Sequence, residues 1–181
     1  MDMLLLALNA GFIPPGLGKD PVRNPSVMPT GKNIKSFDPR TVPDKVAWEI
    51  GKKAADQLLA AYYGEHGKYP ESIGAILWAI ETMRTEGQSI AMVMRLLGIE
   101  PKWSSSGNVE SYKITPLSEL GRPRIDVVIT TSGLFRDTFT VVSTLLDKAI
   151  RELALLNEDE GDNFLKKHYQ SLRDELIAGG K

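Results

Sequence analysis

The sequence predicts an α/β fold: a mainly parallel sheet flanked by helices, with a long irregular N-terminal arm. Three observations carry this. Two short apolar runs, Ile73–Ile80 and Ile125–Thr130, have strand length and are each followed by a helical pattern. Helix-period stripes recur before, between and after them. Residues 11–42 hold Pro and Gly at a density that neither a helix nor a central strand accepts. The expected organisation is an arm over 1–42 and one α/β domain over 43–181.

The elements follow in order. Met1–Leu8 is apolar but far too short to cross a bilayer, and it lacks the basic start of a signal peptide. It reads as a buried helix turn or the start of a piece of something longer. The arm contains Gly16-Leu17-Gly18-Lys19-Asp20, Pro29-Thr30-Gly31-Lys32-Asn33 and Phe37-Asp38-Pro39. An irregular segment of this length either binds something or wraps a neighbour. A helix is expected over 44–63, with Val46, Ile50, Ala54, Leu58 and Tyr62 as its apolar stripe. Thr41 and Asp44 have capping-box spacing, and Gly64 and Gly67 end the helix.

Ile73–Ile80 reads as a strand covered on both faces. A polar turn, Glu81 to Gln88, leads into a helix over 86–97 that Gly98 stops. Residues 99–123 are less regular, with a turn at Ser104–Asn108, an edge strand over 109–115 and one helical turn before Gly121. After the second buried strand, Asp137 is placed to cap a helix over 138–156. A last helix, 162–178, is expected to bury Leu165, His168, Leu172 and Leu176.

Composition narrows the chemistry. The chain has 181 residues and a formal net charge of -1, so nothing points to nucleic acid or an anionic membrane as partner. With no Cys, disulfides, thiolate metal sites and Cys nucleophiles are excluded. A Walker phosphate loop, His-Glu-x-x-His, Gly-x-Ser-x-Gly and an EF-hand loop are all absent.

Two strand-to-helix turns remain, Glu81–Gly87 and Thr131–Asp137. Parallel strands would bring both to the carboxyl edge of one sheet, where open α/β sheets bind ligands. Arg84 and Arg136 are suited to gripping carboxylates. Glu81, Glu86 and Asp137 are suited to proton handling or to guiding a hydrated cation. The plainer alternative is that Thr85 and Asp137 cap helices while the arginines and acids pair with one another. Likewise Arg122 and Arg124, either side of Pro123, could fix the strand entry by pairing with acids such as Glu119. His66 reads as solvated, and His168 as a satisfied inward residue.

Gly121-Arg122-Pro123-Arg124-Ile125-Asp126-Val127-Val128, continued by Ser132-Gly133-Leu134-Phe135-Arg136-Asp137, resembles the signature of the cobaltochelatase large subunit and the magnesium chelatase H subunit. Other blocks agree in order: Pro29–Asn33 with Phe37–Pro39, Leu77-Trp78 through Met83-Arg84-Thr85 and Gly87, Pro116–Leu120, and Asn163-Phe164 with Lys166-Lys167-His168. Ser36–Pro39 and Ala47-Trp48-Glu49 are closer to the cobalt branch. Ala79, where the family usually has Gly, and the variable Ile80-Glu81-Thr82 are departures that bear on that turn.

The resemblance implies a cytoplasmic fragment, internal or C-terminal, of a much longer subunit that binds a tetrapyrrole and inserts a metal. It implies separate AAA+ subunits that use ATP and Mg2+, with Co2+ or Mg2+ as the inserted substrate. No cofactor or resident metal is expected on this piece, and alone it is expected to be inactive. Under this resemblance Glu81 and Glu86 are candidates for base or cation guide. Arg84, Arg122, Arg124, Ser132, Arg136, Asp137 and His168 are candidates for contact with the macrocycle. The competing expectation is a non-catalytic structural or partner-docking module.

Overall fold

The computed structural model describes residues 2–13, 22, 25–29 and 37–179. The Thr30–Asn33 block, Ser36 and the Gly16–Asp20 segment lie outside the described residues. The chain divides into two units, Met1–Asp38 and Pro39–Lys181. The first contains helix α1, Asp2–Leu8, and a short 3-10 turn, Pro25–Val27. Met3, Leu4, Leu5, Leu6 and Leu8 are exposed, so α1 is not the buried turn that its apolarity predicts.

The second unit has the order α2 (Lys45–His66), β1 (Ser72–Leu77), α3 (Ala79–Thr85), α4 (Gln88–Leu97), β2 (Ile99–Trp103), β3 (Val109–Ile114), α5 (Leu117–Leu120), β4 (Asp126–Thr131), α6 (Gly133–Thr138), α7 (Thr140–Ala154) and α8 (Phe164–Ala178). Strands β1 and β4 pair in parallel, from Ser72 opposite Asp126 to Leu77 opposite Thr131. This is the expected α/β arrangement, a parallel pair flanked by helices. A second pair, β2 with β3, is an antiparallel hairpin closed by the Ser104–Asn108 turn. Strand β2 escapes the sequence pattern because its Glu100, Pro101 and Lys102 break any apolar run.

Helix α4 is the centre. Ile90, Ala91, Val93, Met94, Leu96 and Leu97 are all buried, against α2 on one side and the strands on the other. The approach of α2 to α4 depends on Gly51: a Cβ there would lie 2.5 Å from the Ala91 Cβ and the Gln88 carbonyl oxygen. Asp44, not Thr41, is the N-cap of α2, accepting from the Ala47 N–H at 2.6 Å.

The buried face of α2 is Ala47, Trp48, Gly51, Ala55 and Leu59. Val46, Ile50 and Leu58 of the expected stripe are exposed. A strict four-residue repeat drifts around a helix of 3.6 residues per turn, and small residues at the α4 contact decide which face goes in. Strand β1 is likewise not covered on both faces: Ala75 and Leu77 are buried, whereas Ile76 and, on β4, Val128 are exposed. It also ends at Leu77, since Ala79 already begins α3. On α8 only Leu165 is buried; Leu172 and Leu176 are exposed.

The two arginines around Pro123 hold these pieces together. Helix α4 ends with unsatisfied carbonyls, as every helix does. Arg122 donates to the carbonyls of Arg95 and Leu96, and to its neighbour Pro123. Arg124 donates to those of Leu97 and Gly98, the latter at 3.0 Å, and also to Thr115 at 2.8 Å. Its remaining donors fork onto Glu158, both at 2.8 Å. Asn163 and Lys166 hold Glu158 in turn: the Asn163 amide donates to its carboxylate at 2.9 Å and the Lys166 ammonium to its backbone carbonyl at 2.7 Å. Arg124 is fully buried, and a charge there requires this complete set of partners.

Gly98 makes the arrangement possible. It has φ +78, and a Cβ would meet Arg124 Nη1 at 2.5 Å and Leu120 Cδ2 at 2.8 Å. We predict that Gly98→Ala lowers stability by about 2 kcal/mol in urea unfolding, combining left-handed strain with that collision.

Candidate functional site

Parallel pairing of β1 and β4 sends both strands out at the same edge. Each is followed at once by a short helix, α3 or α6, and these two helices touch. Ser132 is the N-cap of α6; its hydroxyl accepts from the Phe135 N–H at 3.1 Å. Phe135 anchors the turn by packing against Phe139, with ring centroids 5.0 Å apart. Asp137 therefore lies inside α6 and does not cap the following helix: α7 starts at Thr140 behind Phe139, with no side-chain cap. Arg136 and Asp137 are both exposed and make no side-chain hydrogen bond or ion pair among the described residues.

Glu81 sits in the first turn of α3. One carboxylate oxygen, Oε1, accepts from Thr85 at 3.0 Å and from Ser89 at 3.1 Å. The other, Oε2, is buried and has no partner among the described residues. The same holds for the hydroxyl of its neighbour Thr82. A buried carboxylate oxygen without a donor is costly, and this one lies where open parallel sheets receive ligands.

Arg84 is exposed in the last turn of α3. Glu86 is the left-handed C-cap of that helix, φ 57, and its carbonyl accepts from the Asp44 N–H. Thr85 accepts from the Gln88 N–H at 3.3 Å, as the capping-box spacing predicts, although α4 begins at Gln88 with Gly87 before it. Glu81 and Arg84 thus lie on α3, and Ser132, Arg136 and Asp137 on or at the start of α6, the two short helices that follow the strands at one edge.

The other predicted residues lie elsewhere. Arg124 is enclosed in the network described above, and Arg122 lies at the end of α4. Both precede β4, so they belong to the amino ends of the strands. His168 is there too, partly exposed, with Nδ1 at 2.7 Å from Asp126 and Nε2 at 3.4 Å from Glu71. Sequence reading places His168 inward as a lone residue. Its acidic partners stand at the starts of two different strands, and Asp126 is 42 residues away, so no local spacing reveals them. His66 is exposed, as expected, and stacks on Tyr62 at 4.1 Å.

Among the described residues, no group of three or more His, Asp or Glu side chains converges as a metal cage would. No helix among them is long and apolar enough to cross a membrane.

The hydrogen bond from Lys167, reinforced by His168, holds the Glu71 carboxyl below its ordinary value of 4.5. A carboxyl lowered on folding contributes stability above its unfolded pKa and loses it as pH falls through the folded one. Glu71→Gln should therefore be slightly less stable than the parent near neutrality, with the difference vanishing in acid below the folded pKa. Thermal unfolding over a pH series reads this. Ser132→Ala should cost about 1 kcal/mol in urea unfolding through loss of the α6 cap.

A family model described as CobN/Magnesium Chelatase matches residues 1–181. The aerobic cobaltochelatase subunit CobN of Sinorhizobium sp is 42% identical over 182 residues, covering 99% of this chain and 14% of that protein. The magnesium-chelatase H subunit of Chlorobaculum parvum is 40% identical over 182 residues, again 99% of this chain and 14% of the relative. Among solved structures, the catalytic subunit of cobaltochelatase from Mycobacterium tuberculosis superposes with a TM-score of 0.80 at 44% identity, over 99% of this chain and 15% of that one. The chain thus spans about a seventh of the length of these relatives.

Proposed function

The chain belongs to the CobN/magnesium chelatase family, and from that premise we propose that it forms part of the tetrapyrrole-facing surface of an ATP-dependent metal chelatase. Cobalt, in cobalamin-type biosynthesis, is the favoured metal and magnesium the alternative. The location is cytoplasmic. Tetrapyrrole, the remainder of the large subunit and AAA+ subunits that hydrolyse ATP with Mg2+ are its partners.

The observation that carries the reading is the shared edge of β1 and β4. Metal insertion requires the pyrrole N–H groups to lose protons, so a base near the ring is needed. Glu81, with one buried oxygen lacking a donor among the described residues, is suited to that role. Arg136, exposed and unpaired among the described residues, is suited to an acidic side chain of the macrocycle. Arg84 and Glu86 flank them, while Ser132 and Asp137 complete the α6 side.

A second reading, a docking module without a chemical role, is favoured by one observation. Val46, Ile50 and Leu58 form an exposed apolar strip on α2, the pattern of an interaction surface.

Chelation assays on the complete large subunit with its ATPase partners separate the two. The chelatase reading expects Glu81→Gln to lower the chelation rate by about a hundredfold and Arg136→Ala to raise the tetrapyrrole KM, neither with a lowered melting temperature. Full chelation in both variants would establish the docking reading.

A further inference from the structure

A groove of about 420 Å³ lies apart from the edge just described. It runs between the last turns of α2, the Tyr69 turn, the end of α4 and the Leu120–Arg122 turn. Tyr69 precedes β1 and Arg122 precedes β4, whereas Glu81 and Ser132 follow those strands. A six-residue strand is about 20 Å long, so the two places are separate sites.

The charges in the groove do not balance. Arg95 forks onto Asp56, at 2.9 and 3.2 Å, and this pair cancels. Arg122 donates only to backbone carbonyls, and its Nε is buried without an acceptor. Among the described residues no carboxylate pairs with it. The C-terminal dipole of α4 offsets about half a charge. Burial, with Arg95 adding to it, pushes the Arg122 guanidinium down to about 10, which leaves it a cation at neutral pH.

The walls are aromatic and apolar. Tyr63 and Tyr69 pack at 4.9 Å with tilted rings, and Leu59 and Leu120 add apolar lining. Gly64 keeps one wall open, since nothing lies within 4 Å of where its Cβ would be. Such a lining, with the Arg95–Asp56 pair and Arg122 as its charged groups, has the size of small-molecule sites, which span roughly 300–1,000 Å³.

We infer that this groove binds a carboxylate carried on a flat apolar body, the carboxylate meeting Arg122 and the body lying along Tyr63 and Tyr69. The site does not depend on the function proposed for the opposite edge. Asp56 already occupies Arg95, and its charge repels a second carboxylate, which gives the site a distinctive signature.

The test is an NMR titration of the 181-residue chain near neutral pH with sodium benzoate, and with benzamide as its uncharged counterpart. Benzoate is expected to shift the amides of Tyr69, Gly121 and Arg122 and to leave those of Ser132 and Gly133 in place, while benzamide shifts none. Asp56→Asn is expected to tighten benzoate binding by about three- to tenfold, the scale of one partly exposed charge. Absence of a benzoate response, an equal response to benzamide, or unchanged or weaker binding in Asp56→Asn would overturn the assignment.

Discussion

The structure depends on one constraint: the end of α4 must give its carbonyls to something. In the last turn of α4 Met94, Leu96 and Leu97 are buried, so water has little access to its carbonyls. Arg122 and Arg124, on either side of Pro123, meet that need together. Pro123 fixes the backbone between them and lacks the N–H that would compete. Arg124 then extends the connection to the β2–β3 hairpin through Thr115 and to the α7–α8 junction through Glu158. One buried side chain therefore ties the α4 end, the hairpin and the α7–α8 junction to the entry of β4.

That tie determines where the candidate site stands. Strand β4 leaves the arginine cluster at its start and reaches Ser132 at its end. Its register against β1 places Thr131 beside Leu77, so α3 and α6 emerge together. Arginines in the same signature consequently divide their work. Arg124 is enclosed and structural, Arg122 caps a helix and faces a groove, and Arg136 stands free among the described residues at the far edge.

Much of this was legible in the sequence. The parallel pair follows from two apolar runs separated by helical patterns, and the converging turns follow from the pairing. Gly67, Gly98 and Gly121 mark helix ends, all with positive φ. What was not legible depends on contacts distant in sequence. The face of α2 is chosen by Gly51 meeting Ala91, not by its most hydrophobic stripe. The role of Arg124 requires Glu158, 34 residues away, and His168 requires Asp126, 42 residues away. Asp137 fails as a cap because Ser132 starts a separate helix, a break that the sequence from 131 to 137 leaves ambiguous.

The buried tie is tested most directly by a double-mutant cycle in urea on Arg124→Met, Glu158→Leu and the two combined. If the pair connects the domain as described, each single change leaves an unpaired buried charge and costs about 3–5 kcal/mol. The double variant then recovers a large part, giving a coupling above about 2 kcal/mol. Additivity of the single effects to within about 0.5 kcal/mol would contradict the tie.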